Sequence, residues 1–118
     1  MNDNDHVAML SASSLIGTEV VNLHNESLGK LEEVMIDLAT GRIGYAVLSF
    51  GGVLGIGNKL FAVPWASLTV DEKHKKIVMD ADRERLKNAP GFDRNNWPQT
   101  PNGLWVRQVY DYYGAEYR

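Results

Sequence analysis

A glycine-rich stretch from Gly51 to Lys59 is the segment whose residue types come nearest to a site for chemistry. A phosphate-binding loop needs backbone amides freed by glycine and a lysine aimed at the phosphates, with Ser or Thr after it. Gly52 and Gly57 have the required separation. However, Asn58 stands where that lysine belongs, and Leu60 stands where Ser or Thr would follow the next lysine. The pattern therefore favours a connection between strands over a nucleotide site.

The same loop fits a contact surface better than a catalytic one, because its larger residues, Val53, Leu54 and Ile56, are apolar. Exposed apolar patches commonly mark interaction sites. We therefore interpret the loop as a candidate interaction loop. Its residues are Gly52, Val53, Leu54, Gly55, Ile56 and Gly57.

Metal-binding residues are sparse and scattered along the chain. Three histidines are far apart in polar surroundings, and there is no cysteine. Asp80 and Asp82 resemble the start of a calcium loop, but no downstream Gly and Glu complete it, so a strand end followed by a helix N-cap explains them better. Ser49 lacks the preceding glycine of a nucleophile elbow. We predict no enzyme, no metal and no cofactor.

Composition restricts the class of protein. The chain has 118 residues, 44% of them hydrophobic, and a formal net charge of -3. That length suits one domain, and that charge argues against nonspecific nucleic-acid binding as the main task. Acidic Asp3 and Asp5 stand where a secretory signal needs positive charge, and no apolar run is long enough for a membrane span. We expect a cytoplasmic protein.

Short β-rich runs separated by turn residues occupy the chain from Gly17 to Asp80 and predict a mainly β fold of about six strands. Gly41 supplies a hairpin turn, Pro64 ends a strand, and Trp65 is a predicted corner anchor. The predicted strands are Glu19 to Leu23, Leu28 to Leu38, Arg42 to Phe50, Lys59 to Val63, Thr69 to Asp71 and Lys76 to Met79.

Alternation along two of these runs predicts which faces are buried. In the second run, Val34, Ile36 and Leu38 alternate with more polar residues and should form one buried face. The third run is apolar on both faces, as expected for a central strand or one covered by a partner.

The last third of the chain differs in composition. Two short helices are predicted, from Asp82 to Asn88 and from Leu104 to Tyr113, with Gly114 as a stop. The segment is rich in aromatic residues, which either pack against the protein's own barrel or form an interface with another chain. The candidate interface tail is Trp97, Trp105, Val109, Tyr110 and Tyr113.

Several sequence strings together resemble the PRC-barrel family, whose domain is shared by the H subunit of photosynthetic reaction centres and by the C-terminal part of the ribosome maturation factor. The match covers roughly Ser11 to Asp82. The strings are Gly17 through Gly29-Lys30-Leu31, Asp37 to Gly41-Arg42-Ile43, Gly51 to Gly57, and Phe61-Ala62-Val63-Pro64-Trp65. The tail from Ala89 to Pro98 is similar to the extension of free-standing bacterial members. The resemblance implies a small β-barrel used for protein contacts, and it carries over no catalytic residues.

We therefore expect a flexible N-terminal tail (1–12), a PRC-type barrel (13–82) and a C-terminal extension (83–118). The leading hypothesis is a non-catalytic binding or assembly module that forms a homodimer. One alternative is an RNA- or ribosome-associated factor, suggested by family analogy and by six basic residues. These are Lys73, Lys75, Lys76, Arg83, Arg85 and Lys87. The other alternative is a barrel that binds a small ligand or an ion.

Overall fold

The computed structural model describes residues 8–50, 59–98 and 103–117. Strands predominate in it, and short helices lie at both ends of the chain. In chain order the elements are α1 (Ala12–Leu15), β1 (Glu19–Val21), β2 (Ser27–Asp37), β3 (Arg42–Ser49), β4 (Lys59–Val63), β5 (Leu68–Asp71), β6 (Lys76–Met79), α2 (Arg83–Lys87), β7 (Gly91–Asp93) and α3 (Gly103–Tyr112). A 3₁₀ turn, Trp65–Ser67, joins β4 to β5.

The strands form one seven-stranded sheet in the order β5-β6-β1-β2-β3-β4-β7. The pairing of β1 with β6 is parallel, and the other pairings are antiparallel. Strands β5 and β7 lie at opposite ends of this order, so the described part of the barrel is a curled sheet that does not close. The predicted mainly β architecture is confirmed, with seven strands where about six were expected.

The inner face of the sheet surrounds the main core, to which β1 through β6 and α2 contribute. Phe50 and Phe61 pack with ring centroids 4.8 Å apart and are fully buried. Gly29 on β2 lies against Phe50. A Cβ at its position would stand 2.7 Å from Phe50 Cδ1 and 2.1 Å from the Ser49 backbone oxygen. Its φ of +112° is also one that other residues rarely adopt.

The outer face of β3 and β4 is covered by α3. Tyr45 and Val47 on β3 pack in one cluster with Val106, Val109 and Tyr110 on α3. Ala46 and Leu48 alternate with these two residues along β3, and they belong to the inner core on the opposite face. The prediction that the third run is a central strand is confirmed, and its outer face is covered by the chain's own C-terminal helix.

Several local predictions are confirmed by backbone geometry. Gly41 has a φ of +74° at the tip of the β2–β3 hairpin. The Asp82 carboxylate caps α2 by accepting a hydrogen bond of 2.7 Å from the Arg85 amide. Gly114, with a φ of +66°, follows the end of α3.

Two features of the sheet differ from the prediction. Ile36 is 51% exposed and Leu38 is 93% exposed, so the predicted buried face ends at Val34. After a register shift between Met35 and Ile36 the hairpin extends beyond the core, and Leu38 lies past the last residue of β2, in the turn. Strand β7 was not predicted, because its three residues form a strand only by pairing with β4.

Candidate interaction site

A groove of about 370 Å³ opens where the free end of the curled sheet approaches β2 and β3. We call it the seam groove. Its apolar lining comes from α1 and the residues before it, from β2, β3 and β5, and from the 3₁₀ turn. The main lining residues are Leu10, Leu15, Val34, Ile36, Trp65 and Val70.

The floor and the rim of the seam groove differ in burial. Leu15, Val34, Trp65 and Val70 are partly buried and pack against the inner core, so they form the floor. Leu10 and Ile36 are half exposed, at 50% and 51%. Their neighbours in the chain, Met9 and Leu38, are 83% and 93% exposed. The groove therefore lies within an apolar surface patch, which is the kind of patch that marks interaction sites.

A second cavity of about 580 Å³ lies between the β2–β3 hairpin and the C-terminal segment after α3. We call it the polar pocket. Its lining includes the ionisable residues Asp37, Arg42 and Glu116 together with aromatic rings of Tyr110 and Tyr117. Ile43 and Trp65 line both cavities, so the two depressions meet at these side chains.

Asp37 is held in a hydrogen-bonded position in the polar pocket. Its Oδ2 accepts a bond of 2.8 Å from the Tyr117 hydroxyl, and its Oδ1 accepts one of 2.9 Å from the Ala39 amide. The Tyr117 bond is the main reason why the pKa of Asp37 is lowered, since it stabilises the carboxylate. The same bond raises the pKa of Tyr117. Asp37 is therefore a fixed negative charge at neutral pH.

The sequence-predicted site residues fall into two groups. The candidate interaction loop lies outside the described residues. The residues of the candidate interface tail come together on the outer face of the chain's own sheet. Val109 and Tyr110 are buried there, Trp105 meets Tyr45 edge-on at 5.3 Å, and Trp97 packs on Phe92 at 5.0 Å. Tyr113 is partly buried and contacts both core clusters.

The structural residues proposed from the sequence have additional roles. Pro64 precedes the 3₁₀ turn in an extended conformation and ends β4. Trp65 turns the chain there, as predicted, but it also forms part of both cavities. Sequence reasoning missed the seam groove, because its lining residues are far apart in the chain and Ile36, on its rim, is predicted from the sequence to be buried.

The basic residues behind the RNA alternative are partly engaged within the fold. Arg85 donates to the Tyr112 backbone oxygen and lies over the Tyr112 ring, while the Tyr112 hydroxyl donates back to the Arg85 oxygen. Arg83 donates to the Ser27 oxygen, and Lys76 donates to Asn25. The contacts of the two arginines hold α2 against α3 and against the start of β2, and the Lys76 contact joins β6 to the β1–β2 turn.

One histidine and one carboxylate side chain form a pair in the described part of the chain. His74 contacts Asp71 at 2.8 Å, and this hydrogen bond lowers the pKa of Asp71. Among residues 8–50, 59–98 and 103–117, no group of three metal-ligating side chains could hold a metal ion. Within the same ranges, the helices are too short or too polar to cross a membrane.

Comparison with known proteins identifies the family. A model of the PRC-barrel domain matches residues 8–86, which is more than half of the chain. The chain therefore belongs to the PRC-barrel domain family, and the resemblance noted in the sequence is confirmed.

Among solved structures, the fold is similar to that of a putative 16S ribosomal RNA processing protein, RimM, from Pseudomonas aeruginosa. The two are 13% identical with a TM-score of 0.49, and the match covers 71% of this chain and 50% of that chain. The chain thus corresponds to about half the length of that structure. A search of curated proteins finds no match.

Proposed function

We propose that this chain is a non-catalytic protein-binding module and that the seam groove receives an apolar segment of a partner protein. The observation that carries the proposal is the position of half-exposed Leu10 and Ile36 at the rim of a groove whose floor is continuous with the core. An apolar side chain placed in this groove would lose its contact with water, and so would the groove lining. Burial of apolar surface contributes about 25 cal/mol per Å² to the free energy of binding.

A charge placed on the rim tests the proposal. Ile36→Asp puts a carboxylate at a half-exposed position, so the fold tolerates it while the groove loses its apolar character. Leu23→Asp is the matched control, because Leu23 is 67% exposed and does not line the groove. Both variants carry the same added charge.

The experiment is affinity purification of the tagged full-length chain from its native cells, quantified by mass spectrometry. We expect a partner protein that wild type and Leu23→Asp retain equally and that Ile36→Asp loses at least tenfold. Identical sets of bound proteins for all three chains would contradict the proposal. The double substitution Val53→Asp and Ile56→Asp tests the candidate interaction loop in the same way.

Homodimer formation is a separate part of the proposal. The residues of the candidate interface tail contact the chain's own sheet, so a homodimer would use the groove, the candidate loop or an exchange of α3 between chains. Light scattering over a range of concentrations measures the mass directly. A mass of one chain at every concentration would reject the homodimer.

The RNA alternative has less support, because Arg83 and Arg85 already bind backbone oxygens and the net charge is -3. The small-ligand alternative is favoured by one observation, the polar pocket of about 580 Å³, since ligand sites usually measure about 300–1,000 Å³. Calorimetric titration with nucleotides, amines and divalent ions tests it, and heats of dilution alone would exclude it for those ligands.

A further inference from the structure

The geometry points to one kind of partner for the seam groove: an extended segment that pairs with the outer edge of β5, which no other described strand pairs with, and carries apolar residues followed by a lysine or arginine. The apolar side chains enter the seam groove, and the basic side chain enters the polar pocket. This inference rests on the proposed function and adds the conformation and the charge of the partner segment.

The edge of the sheet is the reason to expect an extended conformation in the partner segment. Strand β5 is the outermost strand on its side, and its neighbour in the sheet is β6. The outer edge of such a strand presents backbone groups to which another strand can add. Val70 on β5 and Glu72 just after it both line the seam groove. A strand added to this edge therefore runs along the groove.

The floor of the groove supplies the preference for apolar side chains. Alternate residues of an extended segment point to the same face, about 6–7 Å apart. Those that point inward meet Leu15, Val34 and Val70, which already pack against the core. The inserted side chains would extend that core into the gap that the curled sheet leaves open.

The charges of the two cavities supply the preference for a basic residue. Asp37 places a carboxylate in the lining of the polar pocket, and Glu72 places one in the lining of the seam groove, while Arg42 is the one guanidinium among the described lining residues. The aromatic rings of Trp65 and Tyr110 in the polar pocket suit the aliphatic stem of a lysine or the plane of an arginine.

A second copy of this chain fits less well, because symmetric contact through these cavities would bring their carboxylates together. The 3₁₀ turn and β5 run from Trp65 to Asp71 past both cavities. Because the 3₁₀ turn rises only about 2 Å per residue, a partner segment of about six extended residues, at about 3.3 Å each, would cover that length.

The test starts from octapeptides selected from a random library against the full-length chain. We expect the selected sequences to alternate apolar and other residues and to end in lysine or arginine. Fluorescence anisotropy then compares binding to three variants. Ile36→Asp should weaken binding at least tenfold, Asp37→Asn should weaken it about threefold or more, and Leu23→Asp should leave it unchanged. Asn at position 37 has one acceptor oxygen where the carboxylate has two, so this variant removes the charge together with one of the hydrogen bonds accepted from Tyr117 and Ala39.

Two further measurements separate the parts of the inference. Replacing the basic residue of the peptide by glutamine should abolish the sensitivity to Asp37→Asn. N-methylation of one backbone amide at a time should weaken binding at every second position of the peptide, because only alternate amides of a strand face its neighbour. Selection of acidic or helical peptides that still depend on Ile36 would overturn this inference and leave the proposed function standing. Peptides indifferent to Ile36→Asp would contradict both.

Discussion

The hydroxyl of Tyr110 on α3 donates a hydrogen bond to the backbone oxygen of Gly44 on β3, joining residues 66 positions apart in the chain. Tyr117, whose ring lies 5.0 Å from that of Tyr110, binds Asp37 on the same hairpin. The C-terminal extension is therefore attached to the β2–β3 hairpin that forms walls of both cavities. Stability of the extension and shape of the site are linked through these contacts.

Removal of the Tyr110 hydroxyl should measure the strength of this attachment. Tyr110→Phe leaves the Gly44 oxygen without its partner in a buried position, and we expect a loss of about 1–2 kcal/mol in the free energy of unfolding. Tyr112→Phe is the matched control, because the Tyr112 hydrogen bond to Arg85 is exposed. Urea denaturation measures both. Equal losses for the two variants would show that the buried Tyr110 hydrogen bond contributes no more to the free energy of unfolding than the exposed Tyr112 bond.

Gly29 should be the glycine least tolerant of a side chain among those described. Gly29→Ala would place a Cβ 2.1 Å from the Ser49 oxygen and 2.7 Å from Phe50 Cδ1, at a φ of +112°. Because backbone must move, we expect a loss of about 3 kcal/mol or more in the free energy of unfolding. Gly41→Ala, with a φ of +74° and no atom within 4 Å, should cost about 1–2 kcal/mol from the backbone alone. Thermal denaturation that ranks the two variants in the opposite order would refute this account.

Local sequence signals were enough to predict most of the sheet. Strands β4 and β6 begin and end where predicted, because glycine, proline and charged turns mark their limits. The two apolar faces of β3 were also visible as an alternating pattern. Such signals lie within a few residues of the element that they define.

The parts that were missed depend on contacts between distant residues. Strand β7 exists through its pairing with Lys59–Phe61 of β4, which lies 30 to 34 positions earlier in the chain. The exposure of Ile36 follows from a register shift against β3. The seam groove is formed by residues as far apart as Leu10 and Val70, and no local pattern places them together.

The hydrogen bond between Tyr117 and Asp37 should appear in the pH dependence of stability. The pKa of Asp37 is lower in the folded chain than its ordinary value near 3.9. Its contribution to stability is therefore complete above that ordinary value and is lost as the pH falls through the lower folded pKa. Tyr117→Phe removes the largest cause of the shift, so the pKa of Asp37 should rise.

Carboxyl-carbon NMR titration measures this pKa directly in both chains. Asp71 is an internal control, because its pKa is lowered by a different contact, the hydrogen bond from His74. An unchanged pKa of Asp37 in Tyr117→Phe would show that the hydrogen bond is not formed in solution. A parallel change at Asp71 would point to a general loss of structure.

Asn22 should be the most important polar residue of the β1–β2 turn, because its side chain is 4% exposed and makes three hydrogen bonds. Its Oδ1 accepts from the amides of His24 and Glu26 at 2.9 and 3.0 Å, and its Nδ2 donates to Glu26 Oε1 at 2.9 Å. Asn22→Ala leaves two amides without these partners, and we expect a loss of about 2–3 kcal/mol in the free energy of unfolding.

The neighbouring Asn25 provides the control for the Asn22 experiment. Asn25 has a φ of +61°, which glycine adopts without strain, so Asn25→Gly should change the free energy of unfolding by less than about 0.5 kcal/mol. Urea denaturation gives both values, and hydrogen exchange of the His24 and Glu26 amides shows whether the loss is local. If Asn22→Ala were as stable as Asn25→Gly, water would satisfy those amides, and the turn would not depend on the buried side chain.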